Sequence, residues 1–258
     1  MTETRSRLVT AVEIRKRGDE LAEFEREFTY PLGDDSFRID HGADYLAFFE
    51  GLGDPVVVLA EQRQRVVGVL VAVCRPDPLC WYVCDLKITA TARTVGLARR
   101  MLGVWIAGRD LVGFGVVMDP ARGANRMARI APGLLRVALE VGPRLRFYSL
   151  DFAAWGGVSG VLERELGPIA FHDPRGTKDI VLRSSGEAMP LLHAQYGRSA
   201  RAGSGPPRPG HVHMLCLPDG DPLIERLSMV GVLPTASATV LHHRMPRHEW
   251  RSLLTSDI

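Results

Sequence analysis

The chain has 258 residues, 46% of them hydrophobic and 24% charged, so it can bury a substantial core as one large domain or two small ones. Its 32 basic and 30 acidic residues are spread along the whole sequence and leave a formal net charge of +2, which argues against a nucleic-acid or membrane-surface partner. The longest apolar run, 66–74, is too short to span a bilayer, and the first residues lack the apolar segment of a signal peptide. We therefore expect a cytoplasmic protein.

The cysteine and lysine contents suggest the cellular setting. The four cysteines show no Cys-x-x-Cys spacing and are too few for a disulfide framework, so we expect reduced thiols. Almost all positive charge is arginine, because the only lysines are Lys16, Lys87 and Lys178. Together with abundant Ala, Val and Gly, this bias is typical of a GC-rich bacterial genome.

Hydrophobic spacing predicts helices first and strands afterwards. Between residues 10 and 50, one apolar stripe begins at Leu21 and another at Tyr45, which indicates two helices around a polar loop, 31–41. From residue 54, β-branched runs separated by polar turns indicate strands. In chain order, the next expected elements are a hairpin (56–60 and 66–74), a strand (81–88), an amphipathic helix (97–108), a strand (114–118), an interrupted helix (125–135) and a strand (145–152).

The C-terminal part is less regular. Its expected elements are a helix (158–166), an extended segment (179–182), a Gly/Pro/Arg-rich loop (198–210), a strand (211–217), a helix (222–229) and a strand (238–244). The order of elements predicts an α/β fold of the α+β kind, with a mixed central sheet flanked by helices. Residues 1–152 form the expected core, and 153–258 form a C-terminal α/β extension that completes the sheet or builds a small second lobe. No internal repeat is apparent.

The most informative stretch is residues 85–98, where a strand, a polar turn and a helix start follow one another directly. Backbone N–H groups at a helix N-terminus lack an internal partner and carry partial positive charge, so this junction suits a pyrophosphate. Gly96 lets the backbone approach a ligand closely, and the small Ala98 leaves room beside it. The same stretch also fits a tight turn in another kind of α/β protein.

The segment Arg93-x-x-Gly96-x-Ala98 resembles the Arg/Gln-x-x-Gly-x-Gly/Ala loop of the GNAT superfamily of N-acetyltransferases. The elements over residues 10–152 also follow the order of that fold. The resemblance implies a GNAT-like mixed sheet and acetyl-CoA, or another acyl-CoA, as co-substrate, with the pantetheine arm on the strand and the pyrophosphate on the loop. The implied cofactor-binding residues are Leu86, Lys87, Ile88, Arg93, Thr94, Val95, Gly96, Leu97, Ala98 and Arg99.

A second family motif is present only in part. The family often carries Asn-x-x-Ala-x-x-x-Tyr after the fifth strand, with the tyrosine near the CoA sulfur as a general acid. Here Asn125 and Ala128 match the first half, which adds Asn125 to the expected cofactor-binding set. Pro132 stands where the helix should continue, and no tyrosine follows at that spacing, so the usual acid is missing from this motif.

Acyl transfer from a thioester to an amine needs a neutral amine, a polarised carbonyl and a proton for the leaving thiolate. The resemblance implies that donor and acceptor react directly and that a strand N–H near Ile88 polarises the carbonyl. Asp85 is the candidate base. It lies two residues from Lys87 on one strand face, however, so a simple ion pair is the alternative.

Tyr148 is the candidate general acid, with Tyr30 and Tyr82 as further candidates and packed aromatic side chains as the alternative for all three. The acidic residues between 34 and 50 attract a cationic amine in one interpretation and form a solvated loop in the other. We expect a small-molecule amine as acceptor, because no peptide-binding module is evident and additional chain often builds an enclosed pocket.

The predicted function is therefore N-acyl transfer, most simply N-acetyl transfer, to a small-molecule amine. One alternative is a catalytically silent CoA-binding or scaffolding protein. Another is an acyltransferase for longer chains or carrier-protein thioesters, which Arg93, Arg99 and Arg100 would suit. His211 and His213 share a strand face, but no further ligand completes a set, so no metal is predicted. The sequence predicts no oligomeric state.

Overall fold

The computed structural model describes residues 4–32, 34–77, 79–120, 122–134, 137–197, 203–245 and 247–258. The helices in these ranges are α1 (Ala11–Arg15), α2 (Gly18–Glu25), α3 (Ala47–Glu50), α4 (Val95–Ile106), α5 (Arg126–Ile130), α6 (Phe152–Leu166) and α7 (Pro222–Met229). The strands are β1 (Thr4–Val9), β2 (Tyr30–Leu32), β3 (Asp35–Asp40), β4 (Asp54–Gln62), β5 (Arg65–Pro76), β6 (Leu79–Ile88), β7 (Gly113–Met118), β8 (Glu140–Leu150), β9 (Ile169–His172), β10 (Asp179–Leu182), β11 (Leu191–Tyr196), β12 (Val212–Pro218) and β13 (Ala236–His243).

In the described chain, ten strands form one mixed sheet in the order β1-β4-β5-β6-β7-β13-β8-β12-β11-β9. Neighbouring strands are antiparallel except for two parallel pairs, β6 with β7 and β11 with β12. Helices lie on both faces of this sheet. The mixed central sheet confirms the predicted fold class.

The six central strands of the sheet have a symmetric arrangement, with a parallel pair at each end and two exchanged strands between the pairs. The parallel pair β6 and β7 is followed by β13 and β8, and then by the second parallel pair, β12 and β11. In each half, the second strand of the pair leads through a short helix to another strand: β7 through α5 to β8, and β12 through α7 to β13. Because β13 lies beside β7 and β8 beside β12, each half is completed by a strand of the other. This internal structural repeat is not visible in the sequence.

The predicted boundary after residue 152 falls within this strand exchange. β13 belongs to the C-terminal part, yet it pairs with β7 from Ala238↔Met118 to His243↔Gly113 and with β8 on its other edge. The division into 1–152 and 153–258 remains a prediction about folding units, and a single sheet joins them.

Apolar side chains cover both faces of the sheet. On one face, a cluster that includes Val69, Tyr82 and Phe114 extends over both halves and is covered by α2, α3 and a small sheet, β10-β3-β2. On the opposite face, α4 packs through Leu97 and Met101 in the first half, while α6 and α7 cover the second half. The alternation of side chains along each strand separates these two faces.

One prediction about the N-terminal part needs correction. The segment 31–41 is not a polar loop, because its described residues include strands β2 and β3, which pair with each other, and β3 also pairs with β10 from Asp179↔Asp40 to Leu182↔Phe37. That partner comes from distant sequence and supplies the backbone hydrogen bonds that local propensity does not predict. Strand β1 and the C-terminal strands β9 and β11 were also not predicted.

After residue 54, the hairpin β4–β5, helix α4 and helix α7 are found close to their expected ends. Strand β8 and helix α6 are found too, but β8 begins at Glu140 and α6 at Phe152, several residues before their expected starts at 145 and 158. Residues 198–202 of the predicted Arg-rich loop lie outside the described residues. In the part of the chain that the structure describes, no helix is long and apolar enough to cross a membrane.

Candidate active site

Strands β6 and β7 separate in the middle of the sheet. They pair from Trp81↔Gly113 to Val83↔Gly115, and the ladder between them ends there. A bulge at this point shifts the register of β6 against β5, because Val83 is opposite Ala72 whereas Asp85 is opposite Val71. Residues 115–118 are only half-buried although their strand is central in the sheet. A cleft therefore opens between the strands, with backbone groups along its edges that can bind an extended ligand.

The second parallel pair also separates, but chain fills the gap. β11 and β12 pair from Leu191↔Val212 to His193↔Met214. Beyond this point, the segment 251–257 binds both strands: the Cys216 thiol lies 3.2 Å from the Leu253 carbonyl, and the Thr255 hydroxyl lies 2.9 Å from His193 Nδ1. Residues 213–217 of β12 are buried, in contrast to residues 115–118 of β7. The gap between β11 and β12 is thus filled by the protein itself, whereas the gap between β6 and β7 is open.

Helix α4 begins at the wide end of the open cleft, after the short turn that follows β6. Thr94 caps the helix, since its hydroxyl accepts a hydrogen bond from the Leu97 amide at 3.1 Å. The first i→i−4 bond of the helix runs from the Ala98 amide to the Thr94 carbonyl at 3.3 Å. The amides of Val95 and Gly96 precede this bond, so they point away from the helix and form a positive site suited to phosphate.

Gly96 is exposed, and the fold itself does not require a glycine there. A Cβ atom at this position would meet only the Thr94 hydroxyl, at 4.0 Å, and the backbone does not have a positive φ. Leu97 and Ala98 are buried against the sheet and hold the helix in place. The side chain of Val95 lies outside the described residues, although its backbone begins α4.

The other predicted CoA-binding residues lie on both sides of this junction. Arg93 and Arg99 are exposed, and their guanidinium groups lie 3.4 Å from the Ile88 carbonyl and 2.9 Å from the Gly133 carbonyl, respectively. Leu86 and Ile88 face α4, whereas the Lys87 side chain points to the opposite face of the sheet. The structure thus brings the predicted strand and loop residues together at one end of the cleft.

Asp85 belongs to a buried network of charged and polar side chains. Lys87 Nζ lies 2.9 Å from the Asp85 carboxylate and 2.7 Å from that of Glu25. The Tyr45 hydroxyl donates to Asp85 at 3.0 Å, and His41 Nδ1 lies 2.8 Å from Glu25. All five side chains are buried under α2, α3 and the small sheet. The alternative of an Asp85–Lys87 ion pair is therefore observed, in a larger network.

The network holds its charges in place. Burial alone would raise the pKa of Glu25, but the hydrogen bond from His41 and the charges of His41 and Lys87 lower it. Burial alone would lower the pKa of Lys87, but the negative charge of Asp85 and its other neighbours raises it. Sequence reasoning missed Glu25, His41 and Tyr45, because helices and a hairpin distant in sequence bring them to β6.

Lys178 lies near this network but outside it. Its side chain is buried, and among the described residues no atom accepts a hydrogen bond from Nζ, which lies 4.3 Å from the centre of the Phe48 ring. Burial lowers the pKa of Lys178 to about 8. The groups near enough to affect this pKa are Cys84, Asp257, Asp85 and Lys87. Sequence reasoning missed this residue as well.

The lowered pKa of Lys178 predicts how stability depends on pH. Between about pH 8 and the ordinary pKa of 10.5, the unfolded chain holds this proton more firmly than the folded protein. Stability attributable to this group therefore rises with pH over that interval. Relative to Lys178→Met, the wild type should gain about 1–3 kcal/mol in the free energy of unfolding between the two pH values, as measured by urea denaturation. A difference between the proteins that is constant with pH would contradict the prediction.

Asn125 joins helix α5 to the end of strand β7. Its side chain accepts a hydrogen bond from the Ala128 amide at 3.0 Å and caps α5. Its amide nitrogen donates to the Val117 and Met118 carbonyls, each at 3.3 Å, and to Asp119 at 2.8 Å. These bonds fix the end of β7 relative to α5, so Asn125 shapes one edge of the cleft.

We expect Asn125→Ala to lower the free energy of unfolding by about 1–2 kcal/mol, because the cap and the hydrogen bonds that the side-chain amide donates are lost. Since the amide is engaged within the protein, acetyl-CoA affinity should change by no more than about threefold, a difference of roughly 0.7 kcal/mol. Calorimetric titration and urea denaturation of the same preparation measure both quantities. A large loss of affinity with unchanged stability would instead assign Asn125 to the ligand.

Tyr148 lies away from Asp85. It is on β8, three strand spacings or roughly 14 Å from β6, and its partner across the ladder, Leu215, belongs to the cluster under α6 and α7. Asp85 lies on the opposite face of the sheet, opposite Val71. Burial raises the pKa of Tyr148. The structure therefore does not bring the candidate acid and the candidate base together.

A cavity of about 400 Å³ lies beside β8 and β12, separate from the cleft. Its lining residues are Pro143, Pro218, Asp219, Gly220, Asp221, Glu249, Trp250 and Arg251. Two hydrogen bonds of 2.6 and 2.8 Å join Arg251 to Asp221, and Arg146 binds Asp219 at 2.6 Å. Because arginines already neutralise these two carboxylates, the cavity is not included in the candidate site.

No protein-family model and no curated protein sequence matches the chain. Among solved structures, it is similar to a tandem GNAT protein from the clavulanic acid biosynthesis pathway, with a TM-score of 0.53 and 11% identity over 93% of this chain and 98% of that one. It is also similar to the glucosamine N-acetyltransferase region of a fungal multi-domain β-N-acetylglucosaminidase, with a TM-score of 0.52 and 10% identity over 94% of this chain and 38% of that one. The chain therefore has the GNAT fold that its loop motif predicted.

Proposed function

We propose that the protein is an acyl-CoA-dependent N-acyltransferase, most simply an N-acetyltransferase, that acts on a small-molecule amine. The observation that carries the proposal is the open separation of β6 and β7, with the N-terminus of α4 at its wide end. An extended arm fits along the strand edges, and a pyrophosphate fits against the helix amides. The GNAT fold supports the same assignment by analogy.

In this proposal, the backbone of Leu86, Lys87 and Ile88 holds the pantetheine arm, and the amides of Val95 and Gly96 hold the pyrophosphate. Binding along a β-strand edge uses main-chain hydrogen bonds and fixes the direction of the arm. The exposed Arg93 and Arg99 add positive charge near the phosphates.

Acyl transfer then proceeds by direct attack of the acceptor amine on the thioester carbonyl. A backbone N–H of β6 polarises the carbonyl, and the buried carboxylate of Asp85 is the nearest candidate to receive a proton from the amine. Lys87 and Tyr45 hold this carboxylate in a fixed position. Tyr148 has no part in this step, because it lies on the other face of the sheet.

The second candidate function is CoA binding without turnover. It is favoured by the engagement of Asp85 with both Lys87 and Tyr45, since these contacts occupy the carboxylate that would have to receive the proton of the amine. A longer acyl chain or a carrier-protein thioester is a variant of the first function, and the exposed Arg93, Arg99 and Arg100 suit an acidic carrier.

Calorimetric titration with acetyl-CoA, followed by thiol-release assays over a broad amine panel, tests these functions. Micromolar binding with amine-dependent thiol release supports the transferase, whereas binding without release from any amine supports the silent protein. Binding only of long-chain or carrier-linked thioesters supports the third variant. Failure to bind any acyl thioester would overturn the proposal.

A further inference from the structure

We call the face of β6 that α2, α3 and the small sheet cover the acceptor face. The buried charged side chains on this side of the sheet form two poles of opposite charge. Glu25 and Asp85 contribute two carboxylates and share the single ammonium group of Lys87. Lys178 contributes an ammonium group that is not part of an ion pair with them. One pole is thus rich in carboxylate, and the other carries an isolated positive charge.

Lys178 has an unusual environment for a lysine. Only 5% of its surface is exposed, and its Nζ lies over the Phe48 ring, so a cation–π contact replaces the hydrogen bonds that water would provide. Such a contact stabilises an ammonium group less than an ion pair with good hydrogen bonds does. An anionic ligand would therefore gain a strong, desolvated partner at this position.

The position of Lys178 relates it to the proposed reaction. It lies at the end of the 174–178 turn, where its amide bonds to the Pro174 carbonyl at 3.1 Å, immediately before β10. β10 belongs to the small sheet that covers the acceptor face. The Phe48 ring beneath its Nζ lies 5.8 Å from the ring of His41, which contacts Glu25. Glu25 in turn binds Lys87 on β6, the strand that leaves β7 at the cleft.

We propose that the acceptor is a zwitterionic primary amine of the amino-acid type, with its ammonium group toward Asp85 and its carboxylate bound by Lys178. A zwitterion complements both poles, whereas a simple amine would leave Lys178 without a partner and a simple acid would leave the carboxylates without one. This assignment rests on the proposed N-acyltransferase function and names its substrate class.

The chemistry balances with these groups. The ammonium group loses a proton to Asp85, the neutral nitrogen forms a bond to the acyl carbon, and the carbon–sulfur bond of the thioester breaks. On becoming an amide, the nitrogen loses a second proton, which the leaving thiolate takes up. Asp85 then releases the first proton to solvent, so the products are free CoA and an N-acyl amino acid. The product retains its carboxylate but has lost its positive charge, and it no longer complements the acidic pole, which favours release.

The test is a thiol-release assay with acetyl-CoA and matched pairs of acceptors, each pair an α-amino acid and its amide. The amide keeps the amine but lacks the negative charge. For the best pair, we expect the kcat/KM of the wild type to be at least about 30-fold higher for the acid than for its amide. In Lys178→Met, the ratio of the two kcat/KM values should fall to within about threefold of unity, mainly because the KM for the acid rises. Lys178→Arg should restore part of the preference, and Lys16→Met, at an exposed lysine, should leave it unchanged.

Acetyl-CoA titration of every variant separates this inference from the proposed function. If acetyl-CoA does not bind the wild type, the proposed function fails. If it binds, but the wild type uses amides as well as acids or Lys178→Met retains the preference, only the zwitterion assignment fails. The zwitterion assignment is also overturned if the wild type binds acetyl-CoA but neither binds nor acetylates any of the amino acids. A thermal unfolding midpoint of Lys178→Met that is no lower than that of the wild type excludes misfolding as the cause.

Discussion

Gly96→Trp is expected to abolish acetyl-CoA binding while the fold is kept. Gly96 is exposed at the first turn of α4, and a Cβ atom there would meet only the Thr94 hydroxyl of the protein, at 4.0 Å. An indole at this position occupies the space in front of the helix amides, where the proposed pyrophosphate binds. Affinity measured by calorimetry should fall by at least about 100-fold, a loss of roughly 2.7 kcal/mol.

Gly103→Trp is the matched control for this variant. Gly103 is also exposed on α4, and a Cβ atom there meets nothing within 4 Å. The same residue change on the same helix should therefore leave acetyl-CoA affinity within about twofold, because it is remote from the helix N-terminus. Equal effects of the two substitutions, or full binding by Gly96→Trp, would show that the pyrophosphate does not bind at this turn.

Lys87→Met should have the largest effect on stability. The substitution leaves Glu25 and Asp85 buried without their shared ammonium group, and removing one partner from a buried ion pair typically costs about 3–5 kcal/mol. Urea denaturation at neutral pH measures this loss. Lys16→Met is the control, and at this exposed position the change should be within about 0.5 kcal/mol.

A second variant tests the electrostatic cause of this loss. Combining Glu25→Gln with Lys87→Met removes one of the two uncompensated carboxylates, so the double variant should be more stable than Lys87→Met alone. If Lys87→Met costs less than about 1 kcal/mol, or if the double variant is the less stable protein, then the network is not held together by charge.

The local sequence predicts the strand–turn–helix junction at residues 85–98 well. β-Branched runs, a polar turn and apolar residues at helical spacing are short-range signals, and β6 and α4 both lie where these signals place them. Thr94 also provides a capping side chain directly before the helix. The GNAT motif lies within this junction, so the fold and the proposed cofactor site could be inferred from one continuous stretch.

The buried network could not be inferred in the same way. Glu25, His41 and Tyr45 come from separate elements, and nothing in the local sequence indicates that they meet Asp85 and Lys87. A compositional signal was available for lysine, because an arginine-rich chain uses only three lysines and two of them, Lys87 and Lys178, are buried. Lysine adjusts its pKa on burial more readily than arginine does, which is a physical reason for this choice.

The sequence by itself determined the α/β class, the junction between β6 and α4, and the proximity of Asp85 to Lys87. Only the tertiary structure decided that Tyr148 lies on the other face of the sheet, that β8 and β13 are exchanged between the halves, and that the segment 251–257 fills the second separation of strands. Local signals depend on residues within a few positions of one another. Strand order and the closure of a cleft depend instead on pairing between segments that are distant in sequence. A strand of alternating apolar residues can pair in several registers, so its sequence alone does not select the partner.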